Sequence, residues 1–270
     1  MAAAAETILR PRSHGELFAE WARFPDAIPW AGGTTLISER AEGRGGAGPA
    51  ILSLEGIDDL RKIDRSERFI EIGAAVSLSR VAALGRFVPG TLVECLLGVG
   101  GPLLRNMATI GGNVCGGFDA SAALPALDAQ YEIRDAQSAR WVAASRFAGI
   151  PFDRREILTR IRVPLDGWDV SAYAKFAGTW RSGRSAVFLA RVQKDVLTDI
   201  RVVCKSPLSV LRDRDAEMLL AGKRLPLTRR MAASFAAHWR GVLDSAVDLD
   251  PPSRRDAAGF IEANVVRLAE

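Results

Sequence analysis

Two short glycine-rich segments carry the groups that a bound anion needs. One contains Ala31, Gly32, Gly33, Thr34, Thr35 and Leu36, and the other contains Thr109, Ile110, Gly111, Gly112 and Asn113. Glycine lets the backbone adopt positive φ and approach a ligand closely, and consecutive backbone N–H groups in such turns bind anions. The threonine hydroxyls and the asparagine amide add donors. Each segment alone is equally typical of a plain turn or helix entry. Together, each after an apolar stretch, they predict one shared dinucleotide pyrophosphate.

A third glycine-rich stretch, Gly43–Gly48, matches the G-x-G-x-x-G pattern literally. In a Rossmann fold this pattern follows a strand and opens a helix whose N-terminus holds the phosphates. Here the polar residues 39–42 precede it, and the strand-like run 50–54 follows it. We therefore interpret Gly43–Gly48 as a flexible loop.

The groups that usually perform catalysis or bind metals are sparse. The two histidines, His14 and His238, lie far apart in sequence, and the three cysteines form no C-x-x-C pair. These residues match no familiar zinc or iron–sulfur spacing. We expect a protein that binds a cofactor and supplies little chemistry of its own, with no catalytic residue and no metal site.

The bulk composition is typical of a soluble globular chain. Of the 270 residues, 48% are hydrophobic and 25% are charged, and the net charge is +4. The basic residues are scattered and not interleaved with aromatic residues, which argues against nucleic-acid binding. The odd cysteine count, the absence of a signal-peptide pattern and the absence of an 18-residue apolar run predict a cytoplasmic protein without a membrane span.

The hydrophobic patterns predict a mixed α+β chain. Helical spacing marks residues 13–24, 229–243 and 254–268, whereas short apolar or alternating runs predict strands, among them 27–31, 69–73 and 187–194. The pattern shifts near residues 164–170. We therefore predict two domains, residues 1–165 and residues 166–270, the second with a group of strands followed by helices.

The two glycine-rich segments also carry a family resemblance. AGGTTLI and RNMATIGGN are similar to the two flavin-binding signatures of the FAD-binding (medium) subunit of molybdenum hydroxylases. This family includes the xanthine dehydrogenase FAD subunit and the medium subunit of aerobic carbon-monoxide dehydrogenase. Further blocks resemble the family in the same order, among them LSLEGIDDLRKI, IEIGAAVSLSRVA, AALPALDAQYEI, ILTRIRVPL, YAKFAGTWRSGRSAVFLARV and AEMLLAGKRL. The ordered resemblance covers nearly the whole chain and is more specific than either short segment.

The resemblance implies a two-part FAD-binding domain of the vanillyl-alcohol oxidase type, followed by a carbon-monoxide dehydrogenase flavoprotein C-terminal-like domain. It implies FAD as the cofactor, with the pyrophosphate held by backbone amides of the first segment and by contributions from the second. The chain would be an oxidoreductase subunit that is incomplete alone. Its partners would be a molybdopterin-binding large subunit and a [2Fe–2S] small subunit, and electrons would pass from the clusters through FAD to NAD or another acceptor.

Two positions depart from the family pattern. Many members have an aspartate nine residues after the asparagine that contacts the cofactor, where this chain has Ala122, and Asp119 is the nearby candidate. Some members place a lysine beside the flavin ring, where this chain has Ala186, and Lys175 is the candidate source of positive charge. We include Asp119 and Lys175 among the expected cofactor-binding residues.

Two alternatives stay open at the level of sequence. The departure at Ala122 is compatible with a degenerate scaffold subunit that holds such a complex together without flavin. A stand-alone flavoenzyme of the same superfamily, such as an enolpyruvyl-sugar reductase, would need a proton donor and substrate-binding groups in this chain, and the sequence offers no clear set of them. A yellow purified protein that releases FAD on denaturation would favour the flavin-binding subunit over the scaffold.

Overall fold

A computed structural model describes residues 7–43, 50–147, 149–150, 154–176 and 183–270. The chain divides into two compact units. The first comprises Met1–Leu84, Gly100–Gly116 and Ala129–Pro164, and the second comprises Gly85–Val99, Gly117–Asp128 and Leu165–Glu270. The interpretation of Gly43–Gly48 as a loop falls almost entirely outside the described residues.

The first unit contains two sheets. The strands are β1 (Thr7–Leu9), β2 (Ile28–Trp30), β3 (Ala50–Ser53), β4 (Ile63–Arg65), β5 (Phe69–Gly73), β6 (Gln130–Arg134), β7 (Ala139–Ala143) and β8 (Ile157–Pro164). A three-stranded parallel sheet has the order β1-β3-β2. A five-stranded antiparallel sheet has the order β4-β5-β8-β6-β7.

Helix α1 (His14–Arg23) shows how the sequence builds the core beside the parallel sheet. The Ser13 side chain caps the helix by accepting a hydrogen bond from the Glu16 N–H at 3.2 Å. Leu17, Phe18 and Trp21 recur at helical spacing, and their buried side chains pack with those of β3. The predicted helix over 13–24 is thereby confirmed.

The remaining described helices fall in both units. They are α2 (Thr34–Ala41), α3 (Leu78–Ala82), α4 (Gly90–Leu97), α5 (Pro102–Met107), α6 (Ile110–Cys115), α7 (Ala120–Ala126), α8 (Arg214–Leu220), α9 (Arg229–Ser245) and α10 (Pro251–Val266). Short 3-10 helices occur at Asp58–Arg61, Gly85–Phe87 and Ala144–Arg146. No helix within the described ranges is long and apolar enough to cross a bilayer.

The second unit packs helices on an antiparallel sheet. Its strands are β9 (Val170–Lys175), β10 (Ser185–Gln193), β11 (Val196–Lys205) and β12 (Val210–Arg212), in the order β12-β11-β10-β9. Lys194 and Asp195, which join β10 to β11, both have positive φ, as a type I′ hairpin turn requires. Phe188 of β10 and Trp239 of α9 are fully buried in the shared core. The predicted order, strands followed by helices, is confirmed.

Helix α10 begins earlier than the sequence pattern predicts. The sequence pattern predicts helical spacing only from residue 254, after Asp250-Pro251-Pro252. In the structure Asp250 caps the helix by accepting from the Ser253 N–H at 2.9 Å. Proline is tolerated in the first turn because its missing N–H would have no helical partner there. The two prolines therefore open the helix.

Candidate functional site

The two predicted glycine-rich segments meet in the first unit. A β carbon added to Gly32 would lie 1.9 Å from the carbonyl oxygen of Met107 and 3.2 Å from the α carbon of Ala108. The first segment therefore lies directly against the residues that lead into the second. The structure thus brings together the two stretches that the sequence analysis paired.

The first segment joins the end of β2 to the start of α2 and presents backbone donors. Gly33 is the N-cap of α2 with φ of 68°, and it provides no side-chain cap. The first helical hydrogen bond runs from the Ile37 N–H to the Gly33 carbonyl at 2.9 Å. The N–H groups of Thr34, Thr35 and Leu36 therefore have no partner within the helix. The N-terminus of a helix attracts anions through such N–H groups and through its dipole.

The second segment uses its backbone N–H groups internally. Thr109 caps α6, and its hydroxyl oxygen accepts from the Gly112 N–H at 3.1 Å. Ile110 N–H donates to Val76 at 2.9 Å, Gly111 N–H donates to Ala74 at 2.8 Å, and Asn113 N–H donates to Thr109 at 2.9 Å. The backbone of residues 110–113 therefore cannot also form an anion nest. The segment can still offer the Thr109 hydroxyl hydrogen, because that oxygen acts as the acceptor in the cap.

Three of the four glycines in the two segments are required by internal packing. A β carbon added at Gly33 would lie 2.2 Å from the Trp30 ring, and one added at Gly111 would lie 2.6 Å from the Ala74 side chain. A β carbon at Gly32 would likewise collide with the Met107 backbone. Gly112 differs from these three because it is exposed and an added β carbon would have one close neighbour, the Thr109 hydroxyl at 3.0 Å. At Gly32, Gly33 and Gly111, therefore, protein atoms occupy the space that a side chain would need.

Residues 74–78 and Trp30 contact the two glycine-rich segments, and the sequence analysis did not include them among the expected site residues. Residues 74–78 bind the second segment through the hydrogen bonds of Ala74 and Val76 and through Leu78 N–H, which donates to the Ala108 carbonyl at 2.9 Å. An apolar run after the FIEIG strand carries no sign of this pairing. For Trp30, the only feature in the sequence that could have suggested a role is its position directly before the first segment.

Asp119 and Lys175, the two expected cofactor-binding residues of the second unit, bind each other. The Lys175 ammonium lies 3.1 Å from the Asp119 carboxylate and donates to the Gly98 carbonyl at 3.0 Å. Asp119 is only 3% exposed, so its charge needs this counterion. The two family positions that are alanine here, Ala122 and Ala186, are fully buried. Sequence spacing gave no sign of the ion pair.

The two buried thiols and His238 form no nucleophilic site. Cys95 and Cys204 are buried, and burial raises the pKa of the Cys204 thiol to about 12, so it stays protonated at neutral pH. The Nε2 atom of His238 lies 2.8 Å from an Asp213 carboxylate oxygen, and that Asp213 oxygen belongs to the side chain that caps α8. Within the described residues, no group of three or more His, Cys, Asp or Glu side chains is arranged to hold a metal ion.

Comparison with known proteins assigns the family. The family described as "FAD binding domain in molybdopterin dehydrogenase" matches residues 3–166. The chain belongs to this family. The resemblance to the FAD-binding subunit of molybdenum hydroxylases is thereby confirmed. The matched range contains both glycine-rich segments.

Relatives of this family differ in how much of their length the chain matches. The carbon monoxide dehydrogenase medium chain of Afipia carboxidovorans is 31% identical over 196 residues, which cover 67% of each chain. The indole-3-acetaldehyde oxidase of Zea mays is 28% identical over 193 residues, covering 64% of this chain but only 14% of the maize protein. A solved Cu,Mo-CO dehydrogenase structure superposes with a TM-score of 0.81 at 24% identity, covering 100% of this chain and 99% of that one. This superposition confirms the predicted mixed fold.

The first unit's donor set fits the cofactor of the family. FAD carries a diphosphate, and the unpartnered turn of α2 presents consecutive N–H groups without a carboxylate in that turn to repel an anion. The Gly32 contact fixes this turn against the second segment. Residues 31–36 are only half-buried, so a ligand can reach them.

Proposed function

We propose that this chain is the electron-transferring FAD subunit of a molybdenum-containing hydroxylase or dehydrogenase. It accepts electrons from iron–sulfur clusters and passes them to NAD or another acceptor. Bound FAD supplies the redox chemistry, since a flavin can exchange electrons with both one-electron and two-electron carriers. The partners are a molybdopterin-binding large subunit and a [2Fe–2S] small subunit, in keeping with the "medium chain" and "medium subunit" names of two relatives.

The observation that carries the proposal is the unpartnered first turn of α2. We assign the pyrophosphate to the N–H groups of Thr34, Thr35 and Leu36, where the helix dipole also favours negative charge. Ala31, Gly32 and Gly33 shape the approach to this turn. In the second segment, the Thr109 hydroxyl and the open side of Gly112 face the ligand, whereas Ile110, Gly111 and Asn113 hold the segment in place through their N–H bonds.

Two other expectations remain predictions. One is cofactor contact by Asp119 and Lys175, which the structure shows paired with each other. The other is the division into a FAD-binding domain of residues 1–165 and a C-terminal domain of residues 166–270.

The decisive experiment is the visible spectrum and flavin content of the purified full chain. We expect a yellow protein that releases FAD on denaturation, or an apoprotein that becomes yellow on addition of FAD. A folded chain that stays colourless after addition of FAD would refute the proposal and favour the scaffold alternative. Co-purification with the large and small subunits tests the partners separately, because a scaffold would also pass that test.

A further inference from the structure

The side chain of Trp30, the last residue of β2, lies directly against the turn that starts α2. A β carbon at Gly33 would lie 2.2 Å from Cζ2, 2.3 Å from Cε2 and 2.6 Å from Nε1 of the indole. The Arg40 guanidinium, in the last turn of α2, lies 5.7 Å from the centre of the same ring. The indole therefore contacts the start of the helix and lies near its end.

Helix α2 has no fully buried side chain. It is eight residues long, and its residues are half-buried or exposed. A helix of this length is marginal in water without tertiary packing, because nucleation is unfavourable. Its N-cap, Gly33, adopts a left-handed conformation, and glycine populates positive and negative φ about equally readily. The contacts of Gly32 with Met107 and of Gly33 with Trp30 both lie at the N-terminus of this helix.

We propose that Trp30 is a positioning residue for the cofactor. Its indole holds the Gly33 turn so that the N–H groups of Thr34, Thr35 and Leu36 point together at the pyrophosphate before FAD arrives. Without the ring, the turn and the first N–H groups sample other conformations, and binding must then include the entropic cost of ordering them. The inference rests on the proposed function, since it concerns the same pyrophosphate site.

The chain offers a matched control at Trp141. This residue lies on β7 of the same unit, it is also half-buried, and the Arg162 guanidinium lies 4.0 Å from the centre of its ring. It resembles Trp30 in size, exposure and arginine partner, but it belongs to the five-stranded sheet. Replacing it removes a similar amount of packing without touching the Gly33 turn.

The experiment measures the FAD dissociation constant of the full chain, after removal of bound FAD, for the wild type, Trp30→Leu, Trp30→Phe and Trp141→Leu. We expect Trp30→Leu to weaken FAD binding about tenfold, Trp30→Phe about threefold, and Trp141→Leu less than twofold. The affinity for ADP, which carries the pyrophosphate without the flavin, should fall in parallel in the Trp30 variants. The free energy of unfolding of each FAD-free chain is measured alongside, to separate loss of fold from loss of positioning.

The outcomes separate this inference from the proposed function. A wild-type chain that takes up no FAD refutes the proposed function and this inference with it. If the wild type binds FAD and Trp30→Leu binds it equally well, or if Trp30→Leu and Trp141→Leu weaken binding by the same factor, only the positioning role of Trp30 is refuted. Should Trp30→Leu fail to fold, Trp30→Phe decides, and wild-type affinity in that variant overturns the inference.

Discussion

Gly32 and Met107 are in backbone contact that leaves no room for a side chain. A β carbon at residue 32 would lie 1.9 Å from the Met107 carbonyl oxygen and 2.8 Å from its carbonyl carbon. Real β carbons essentially never come within 3.0 Å of such atoms, so one of the two backbones would have to move. This contact joins the predicted pyrophosphate turn to the second glycine-rich segment.

The first prediction concerns that contact. We expect Gly32→Ala to lower the free energy of unfolding by about 1–3 kcal/mol, because overpacking against a backbone carbonyl forces the main chain to shift. FAD binding should weaken as well, since the shift displaces the Gly33 turn. Urea unfolding and an FAD titration measure the two effects.

The control for Gly32 is Gly101, in the same unit, where an added β carbon would meet nothing within 4 Å. Gly101→Ala should unfold at nearly the wild-type urea concentration. If Gly32→Ala also unfolds like the wild type, the close approach between Gly32 and Met107 does not exist in solution.

The second prediction tests whether Gly112 borders the proposed cofactor site or is needed for packing within the protein. Gly112 is exposed on α6, and only the Thr109 hydroxyl, at 3.0 Å, would contact an added β carbon. We expect Gly112→Leu to reduce the flavin content of the purified protein strongly, because the side chain would fill space next to the proposed pyrophosphate. The free energy of unfolding should change by less than about 1 kcal/mol, since replacing a helical glycine offsets the disturbed cap.

Gly33→Leu gives the contrasting result. Its side chain would meet the Trp30 ring in a left-handed conformation, so it should lose both FAD and stability. The ratio of flavin to protein absorbance, with urea unfolding, distinguishes the two variants. Full flavin content in Gly112→Leu would remove Gly112 from the site.

Local sequence signals predicted the elements better than the contacts between them. The Ser13 cap and the spacing of Leu17 and Trp21 are local features, and they gave α1 almost to the residue. The position of the first segment at a strand end was also predictable from an apolar run followed by two glycines. The hydrogen bonds of the Ile110 and Gly111 N–H groups were not predictable, because their acceptors, Val76 and Ala74, lie in a distant part of the sequence. Sequence showed where glycines occur, but tertiary packing decides what each glycine faces.

The third prediction concerns the ion pair between Asp119 and Lys175. We expect Lys175→Met to lower the free energy of unfolding by about 2 kcal/mol, because it leaves the buried Asp119 carboxylate without its counterion. Adding Asp119→Asn to Lys175→Met should recover most of this loss, since the remaining amide carries no charge. Unfolding of the two single variants and the double variant in urea measures the coupling.

An exposed ion pair is the control for this prediction. Lys62 lies 2.6 Å from Asp59, and both side chains are largely exposed to solvent. Lys62→Met should leave the unfolding midpoint unchanged, because water screens such pairs. Equal effects of Lys175→Met and Lys62→Met would mean that burial of Asp119 adds nothing to the pair.

The last prediction is a pH dependence at Asp213. Its side chain accepts hydrogen bonds from His238 at 2.8 Å and from the Ala216 N–H at 3.0 Å, where it caps α8. The hydrogen bond from His238, followed by that from Ala216, lowers the pKa of Asp213 below its usual value of 3.8. A carboxyl whose pKa is lower in the folded state stabilises the fold above its unfolded pKa, and this stabilisation disappears as the pH falls through the folded pKa.

We therefore expect Asp213→Ala to lower the free energy of unfolding by about 1 kcal/mol at pH 7, as loss of a helix cap does. The difference from wild type should persist down to pH 5 and shrink below pH 3.8, as the unfolded wild-type carboxyl and then, at its lower pKa, the folded one become protonated. Urea unfolding across this pH range provides the measurement. Asp215→Ala removes a neighbouring carboxylate of the same first turn without removing the cap, so it should cost less at pH 7. If the loss of stability caused by Asp213→Ala stays constant from pH 7 to pH 3, the negative charge of Asp213 does not contribute to the free energy of unfolding.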